Sequence, residues 1–291
     1  MGAKTVIALY ESGGCKKIEA ERLLAFCNNS GPAFIFGVVG AGVFSSGRIG
    51  LLLYLAHTIA SVLVGVIFRF HGTRRRFARR TSRVKDGAAQ PPRGAANDKL
   101  FLPAFTESIK TSFQTTLNIC GFVIFFTVFI RLLFLSGALP AAARTLGAVL
   151  VPLGFDASWA EYLLTGVIEM TSGVWSLKDA AVPVASSVAM AAFMLGWAGL
   201  SVHTQVLSFI GESGLSARTY VAGKFLQGIF SAGIIAAFSR AFDLTLPAAT
   251  VMAREVTRLS QLTFFRAFAA SLFGAAAIYA LFKFAARRRT L

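Results

Sequence analysis

Charge is what this sequence has least of. Asp, Glu, Lys and Arg together make up 14% of its 291 residues, and only 13 residues are acidic. A soluble domain of this length needs far more charge to cover its surface. Cysteine and histidine are equally sparse, at three each, and proline numbers eight. Cys15, Cys27 and Cys120 form no CxxC pair and have no clustered histidine, so the set is neither a disulfide framework nor a zinc site. His57, His71 and His203 lie far apart. No nucleophile–base pair, metal-ligand spacing or phosphate-cradling loop is visible, and the chain does not read as an enzyme. Ten-residue segments of alternating polarity, the mark of a membrane β-barrel, are also missing. No cleavable signal peptide stands out, because the short apolar run near the start is broken by Glu11, Lys16 and Lys17.

What the sequence has is apolar length. It is 55% hydrophobic, with 28 Phe and 27 Gly, and its mean hydropathy is +0.66. Apolar stretches of roughly 18 to 23 residues recur, enough to cross a hydrocarbon layer of about 30 Å as helices. Backbone groups in lipid must be satisfied within the segment, which selects helices. The fold class is therefore all-α, a polytopic integral membrane protein.

The formal charge of +16 is concentrated rather than spread. Residues 69–99 carry ten Lys and Arg against Asp86 and Asp98, and the last nine residues add Lys283, Arg287, Arg288 and Arg289. Basic clusters beside apolar spans fix orientation, placing loop 70–99 and the C-terminus in the cytoplasm. They also suit anionic lipid, so lipid rather than nucleic acid is the expected partner.

Along the chain, residues 1–14 read as a tail and residues 15–30 as a short amphipathic helix ending at Asn28-Asn29-Ser30. Gly31-Pro32 opens an apolar stretch too short to span, which fits a re-entrant or broken helix. Full spans are expected over 49–69, over 219–238 and over 261–283, and a helix that begins amphipathically at Glu107 becomes a span through Cys120 to about Leu135. Residues 140–155 suit the membrane interface. Residues 159–176 form a further span with Glu169 near its centre and a break at Thr171-Ser172-Gly173. Residues 181–210 form a second short, glycine-broken unit.

Two units look alike. Phe34–Gly40 precedes span 49–69, and Phe193–Gly199 precedes span 219–238, each with a GxxG. With both basic clusters inside, these following spans run in opposite senses. Opposed repeats with broken helices mark secondary transporters, whose site lies at mid-membrane between the repeats. Between residues 135 and 219 the chain needs an odd number of crossings, met by span 159–176 plus a hairpin over 181–210.

Glu169 is the leading site residue, because an acid at a helix centre costs about 2.5–3.5 kcal/mol to insert and so faces a cavity or a partner. The competing reading pairs it with a base such as Lys224 as a packing device. Thr171 and Gly173 beside it would supply a hydroxyl and a permissive backbone. Ser201, His203 and Gln205 form a second polar cluster, and Asn28, Asn29 and Ser30 a third, offering neutral donors and acceptors to a solute. For each, a helix cap or an interhelical hydrogen bond is the plain alternative. Asn118 is a further solute-binding candidate, although residues placed like it and His57 are more often packing hydrogen-bonders than ligands, and Lys224 suits snorkelling to the interface.

The strings AERLLAFCNNSGPAFIFGVVGAGVF (residues 20–44) and GWAGLSVHTQVLSFI (residues 196–210) resemble the YlbJ family of sporulation integral membrane proteins, part of a wider group with a nucleoside-recognition (Gate) domain. The resemblance covers nearly the whole chain. It implies a role in spore formation and kinship with concentrative nucleoside transporters, with two re-entrant hairpins in an inverted repeat, at 25–47 and 181–210. Glu169, Thr171 and Gly173 would match the broken-helix region near the site. Family members carry further helices upstream, so the resemblance implies a chain shortened at its N-terminus. The expected parts are an amphipathic or linker segment (1–24), a first hairpin plus span (25–69), a basic loop (70–105) and a Gate-like second half (106–291). The expected ligand is a small polar solute, with no cofactor beyond a coupling Na+ or H+, and an oligomer is compatible with this reading.

Overall fold

The structure, a computed structural model, describes residues 2–70, 101–180 and 182–241, and beyond these only Arg266 and Ala269, both helical. The basic stretch 71–99 and, those two residues apart, the span expected over 261–283 lie outside the described residues. Within them the protein is helical, and four helices are long and apolar enough to cross a membrane: Gly47–Phe68, Phe105–Leu135, Val184–Gly211 and Ala217–Ala241.

The first half begins with α1 (Gly2–Glu11) and α2 (Lys17–Cys27). Residues read as a tail thus form a helix, and it folds back on α2: a side chain at Gly2 would collide with the Cys27 carbonyl. After α2 the chain leaves helical geometry through Asn28, Asn29, Ser30 and Gly31. Short polar side chains there compete for backbone partners, and Pro32 has no N–H to give. Helix α3 (Phe34–Val43) is a wide, π-type helix, closed by the Phe44 N–H to the Val39 carbonyl (3.1 Å). Ser46 then caps α4 (Gly47–Phe68) by accepting from the Ile49 N–H at 3.4 Å.

Helices α2 and α3 run in file along α4, antiparallel to it throughout. Phe26 packs on Gly65, Ser30 N–H reaches His57, the Phe36 ring lies tilted 5.3 Å from that of Tyr54, and Gly40 meets Gly50, where an added Cβ would sit 2.7 Å from the Gly50 Cα. As one number rises the other falls, so this unit does not double back. The hairpin expected over 25–47 is instead a broken helix lying alongside a full one.

Helix α5 (Phe101–Leu135) is long and thinly packed, with Phe113, Ile124, Phe125 and Leu132 exposed, as a lipid-facing helix requires. Helix α6 (Ala138–Leu150) leads to α7 (Trp159–Ile168) and α8 (Met170–Ser176). Here the expectation of a span over 159–176 is corrected. A Cβ on Gly173 would collide with the Gly166 Cα. In a continuous helix residues seven apart are separated by roughly 10 Å. The chain therefore reverses at Glu169, and two glycines let the arms touch.

Helices α9 (Val184–Trp197) and α10 (Gly199–Ser213) meet at Ala198 and Gly199, with φ of 75° and 77°. Helix α11 (Ala217–Ala241) follows. Gly196 lies on Gly228, Trp197 near Phe225, and His203 near Tyr220. This order again falls as the other rises, so 184–213 is a kinked crossing antiparallel to α11, not the hairpin expected over 181–210. One hairpin and one crossing still stand between Leu135 and Ala217, with their roles exchanged.

The two halves share a plan. In each, a short helix (α1 or α8) begins against the break of a two-part helix (α2–α3 or α9–α10), with Gly2 at Cys27 and Met170 at Gly199, and a full span follows. Their spans run antiparallel: Gln227 meets His57, while Gly223 and Gly65 both pack on the end of α2, against Ala25 and Phe26.

Candidate functional site

Three interruptions of helix converge on one cavity of about 290 Å³. Asn28, Asn29 and Ser30 of the first break line it, together with Met170 beside the reversal at Glu169 and Ala198 at the kink between α9 and α10. Thr115, Asn118, Ile119 and Phe122 of α5 close one side, and Gln205, Val206, Ser208 and Phe209 of α10 another. Ala3 and Lys4 of α1 complete the wall. The lining mixes apolar surface with a few amides and hydroxyls, the usual make-up of a small-solute pocket.

The breaks are stitched to one another. An added Cβ at Gly199 would lie 2.8 Å from the Met170 nitrogen and 3.3 Å from the Gly166 and Ile168 carbonyls. The Trp197 indole N–H donates to the Val167 carbonyl at 3.1 Å. The Ser30 hydroxyl reaches the Met170 sulfur at 3.7 Å, joining the first break to the reversal.

Glu169 is 1% exposed, but it does not line the cavity. Its carboxylate accepts from the Thr171 N–H (2.9 Å) and the Ser172 N–H (2.6 Å), capping α8. The break expected at Thr171–Gly173 is thus one turn earlier, at Glu169 itself, whose backbone is extended (φ −139°, ψ 114°). Thr171 serves through its backbone, and Gly173 serves packing. Neither lines the cavity. The suggested pairing of Glu169 with Lys224 is not formed: each has other partners.

Of the other expected residues, Asn28, Asn29, Ser30, Asn118 and Gln205 do come together around the cavity. Ser201 and His203 do not. Ser201 is fully buried and its hydroxyl has no partner. His203 is buried between the Trp197 ring (4.2 Å) and the Tyr220 ring (5.3 Å), with both ring nitrogens unpartnered. The Gln205 Nε2 is likewise buried and unpartnered, and it belongs to a residue on the cavity wall.

Behind Asn28 and Asn29 lies a polar layer that sequence reading missed. Lys224, expected to snorkel, is 0% exposed. Its Nζ donates to the Asn28 carbonyl (2.9 Å) and to Gln227 Oε1 (2.8 Å). The Gln227 Nε2 donates to Asn29 Oδ1 (2.8 Å) and lies 3.4 Å from His57 Nε2. Asn29 in turn donates to the Phe26 carbonyl (2.9 Å) and Ser61 Oγ (3.0 Å), so its amide is spent on structure. The signal was present in α11: Tyr220, Lys224, Gln227 and Ser231, all fully buried, are spaced by four, three and four residues, one helix face. Lys4, the cation on the cavity wall, approaches Thr115 Oγ1 (3.3 Å) and lies 4.5 Å from the Phe209 ring centre.

Comparison with known proteins adds one relative. The sporulation integral membrane protein YlbJ of Bacillus subtilis is 29% identical over 238 residues, covering 79% of this chain. The chain spans 58% of that protein's length. The likeness supports the YlbJ family for this chain. No protein-family model matches, and no solved structure matches.

Proposed function

We propose that this chain is a sporulation-associated integral membrane protein of transporter type, which binds or moves a small polar solute, with nucleosides the first class to test. The observation that carries this reading is the meeting of three helix interruptions around one cavity, within two halves whose full spans run antiparallel. Interrupted helices leave N–H and carbonyl groups without intrahelical partners, and such groups are tolerated at membrane depth where they line a polar cavity. Asn118, Gln205 and the Oδ1 of Asn28, whose Nδ2 donates to the Tyr220 hydroxyl at 3.4 Å, are the groups proposed to read the solute. Sporulation enters from the name of the relative, and no catalytic step is assigned.

Thermal unfolding of the purified protein with a panel of nucleosides tests the reading. A ligand of the folded state raises Tm in a dose-dependent way. Gln205→Leu and Asn118→Leu are expected to remove that rise while leaving the unliganded Tm close to wild type. If no nucleoside shifts Tm, the nucleoside class is dropped. If in addition no other polar metabolite does, the transporter reading fails.

A second reading has its own support: Asn29 and Glu169 have their polar groups engaged by the protein itself. This is what a non-transporting assembly factor of the spore envelope, using the fold as a scaffold, would have. Such a factor predicts normal sporulation with Gln205→Leu and Asn118→Leu.

A further inference from the structure

We infer that the Lys224 ammonium is a built-in cation, filling a monovalent-cation site at the end of α2, so that the protein functions without sodium. Helix breaks at mid-membrane hold coupling cations through freed carbonyls and the C-terminal ends of half-helices. Lys224 Nζ sits at such a half-helix end, on the carbonyl of Asn28, the residue that follows α2. Its two acceptors are neutral oxygens, the Asn28 main-chain carbonyl at 2.9 Å and Gln227 Oε1 at 2.8 Å.

No carboxylate balances it. Among the described residues the two buried acids are engaged elsewhere: Glu21 accepts from the Ser216 N–H at 3.0 Å, and Glu169 caps α8. The C-terminal end of α2, where the helix dipole is negative, favours a cation there. The fold commits the side chain to this place. A Cβ on Gly223 would collide with the Ala25 carbonyl, so α11 lies directly on α2. At 0% exposure the ammonium does not reach the interface as a snorkelling lysine does.

The position also explains why the filling matters. Lys224 holds the Asn28 carbonyl, Gln227 holds Asn29, and both asparagines form the cavity wall. A free ion there would enter and leave with the solute, whereas a tethered one stays. This inference does not depend on the identity of the solute.

The test is thermal unfolding of the purified full chain in detergent, at equal ionic strength in NaCl, LiCl or choline chloride. Wild type and Lys224→Arg are expected to give the same Tm in all three salts. Lys224→Ala vacates the site and is expected to gain a saturable rise of about 3 °C in NaCl or LiCl over choline. Lys224→Ser, which leaves a hydroxyl oxygen in place, is read in the same way if the alanine variant does not fold. A saturable, sodium-specific rise in the wild type overturns the inference, as does a folded alanine or serine variant that responds to neither ion. Should neither variant fold, the wild-type comparison decides alone. The readout is cation-dependent stability, so a failed nucleoside screen leaves it standing.

Discussion

Gly199 is pressed against the backbone nitrogen of Met170, close enough that a methyl group at 199 would lie 2.8 Å from it. This contact, with the Trp197 indole bond to the Val167 carbonyl, locks the kink between α9 and α10 onto the reversal between α7 and α8, and so fixes two walls of the cavity relative to each other. Gly199 meets two demands at once, a positive φ of 77° and the absence of a side chain.

Those demands separate experimentally. Gly13 also has a positive φ (75°), but an added Cβ there would have nothing within 4 Å. Gly13→Ala is expected to lose about 1 kcal/mol from backbone strain alone. Gly199→Ala adds an overlap with main-chain atoms and should lose roughly 2–4 kcal/mol in total. Chemical denaturation in micelles measures both, and equal losses would mean that the close approach is not tight.

Gln227 is the hinge of the buried polar layer, since Lys224, Asn29 and His57 all turn toward it. Gln227→Leu leaves buried groups unpaired and is expected to destabilise by about 2–3 kcal/mol. A double-mutant cycle with Asn29→Ala should give a coupling of roughly 0.5–3 kcal/mol. Strict additivity of the two losses would contradict the hydrogen bond between them.

Glu169 is expected to behave as a helix cap. Glu169→Ala frees two N–H groups of α8 and should lower stability by about 1–2 kcal/mol. Glu169→Gln keeps one amide oxygen as acceptor and should recover part of the loss. Should the glutamine variant prove no better than alanine, the charge rather than the acceptor geometry is what α8 requires.

Orientation can be read by chemical labelling. With the basic residues of 69–99 on the cytoplasmic side, a single cysteine placed at Ser82 should resist a membrane-impermeant maleimide added to intact cells and react after permeabilisation. Labelling of intact cells reverses the assignment.

Much of the fold was legible because membranes make composition decisive. Spans near 49–69, 120–135 and 219–238 follow from apolar length, which no tertiary contact is needed to specify. The break at Asn28–Ser30 was legible too, since short polar residues before Gly31-Pro32 announce the end of a helix. Lys224 was misread because a lysine one turn inside a span looks the same whether it snorkels or points inward. Which it does depends on the bare Gly223 beside it and on an oxygen of α2, remote in sequence.

The sequence by itself determined an all-α membrane protein, its long apolar helices and most of its polar interruptions, because lipid demands internally satisfied backbone of a given length. Only the tertiary structure decided that 159–176 reverses at Glu169 while 184–213 runs on, and that Glu169 and Lys224 stay apart. The reason is physical: both segments are apolar and glycine-broken, and what separates them is whether the bare faces meet within the segment, as Gly166 and Gly173 do, or against another helix, as Gly196 and Gly228 do.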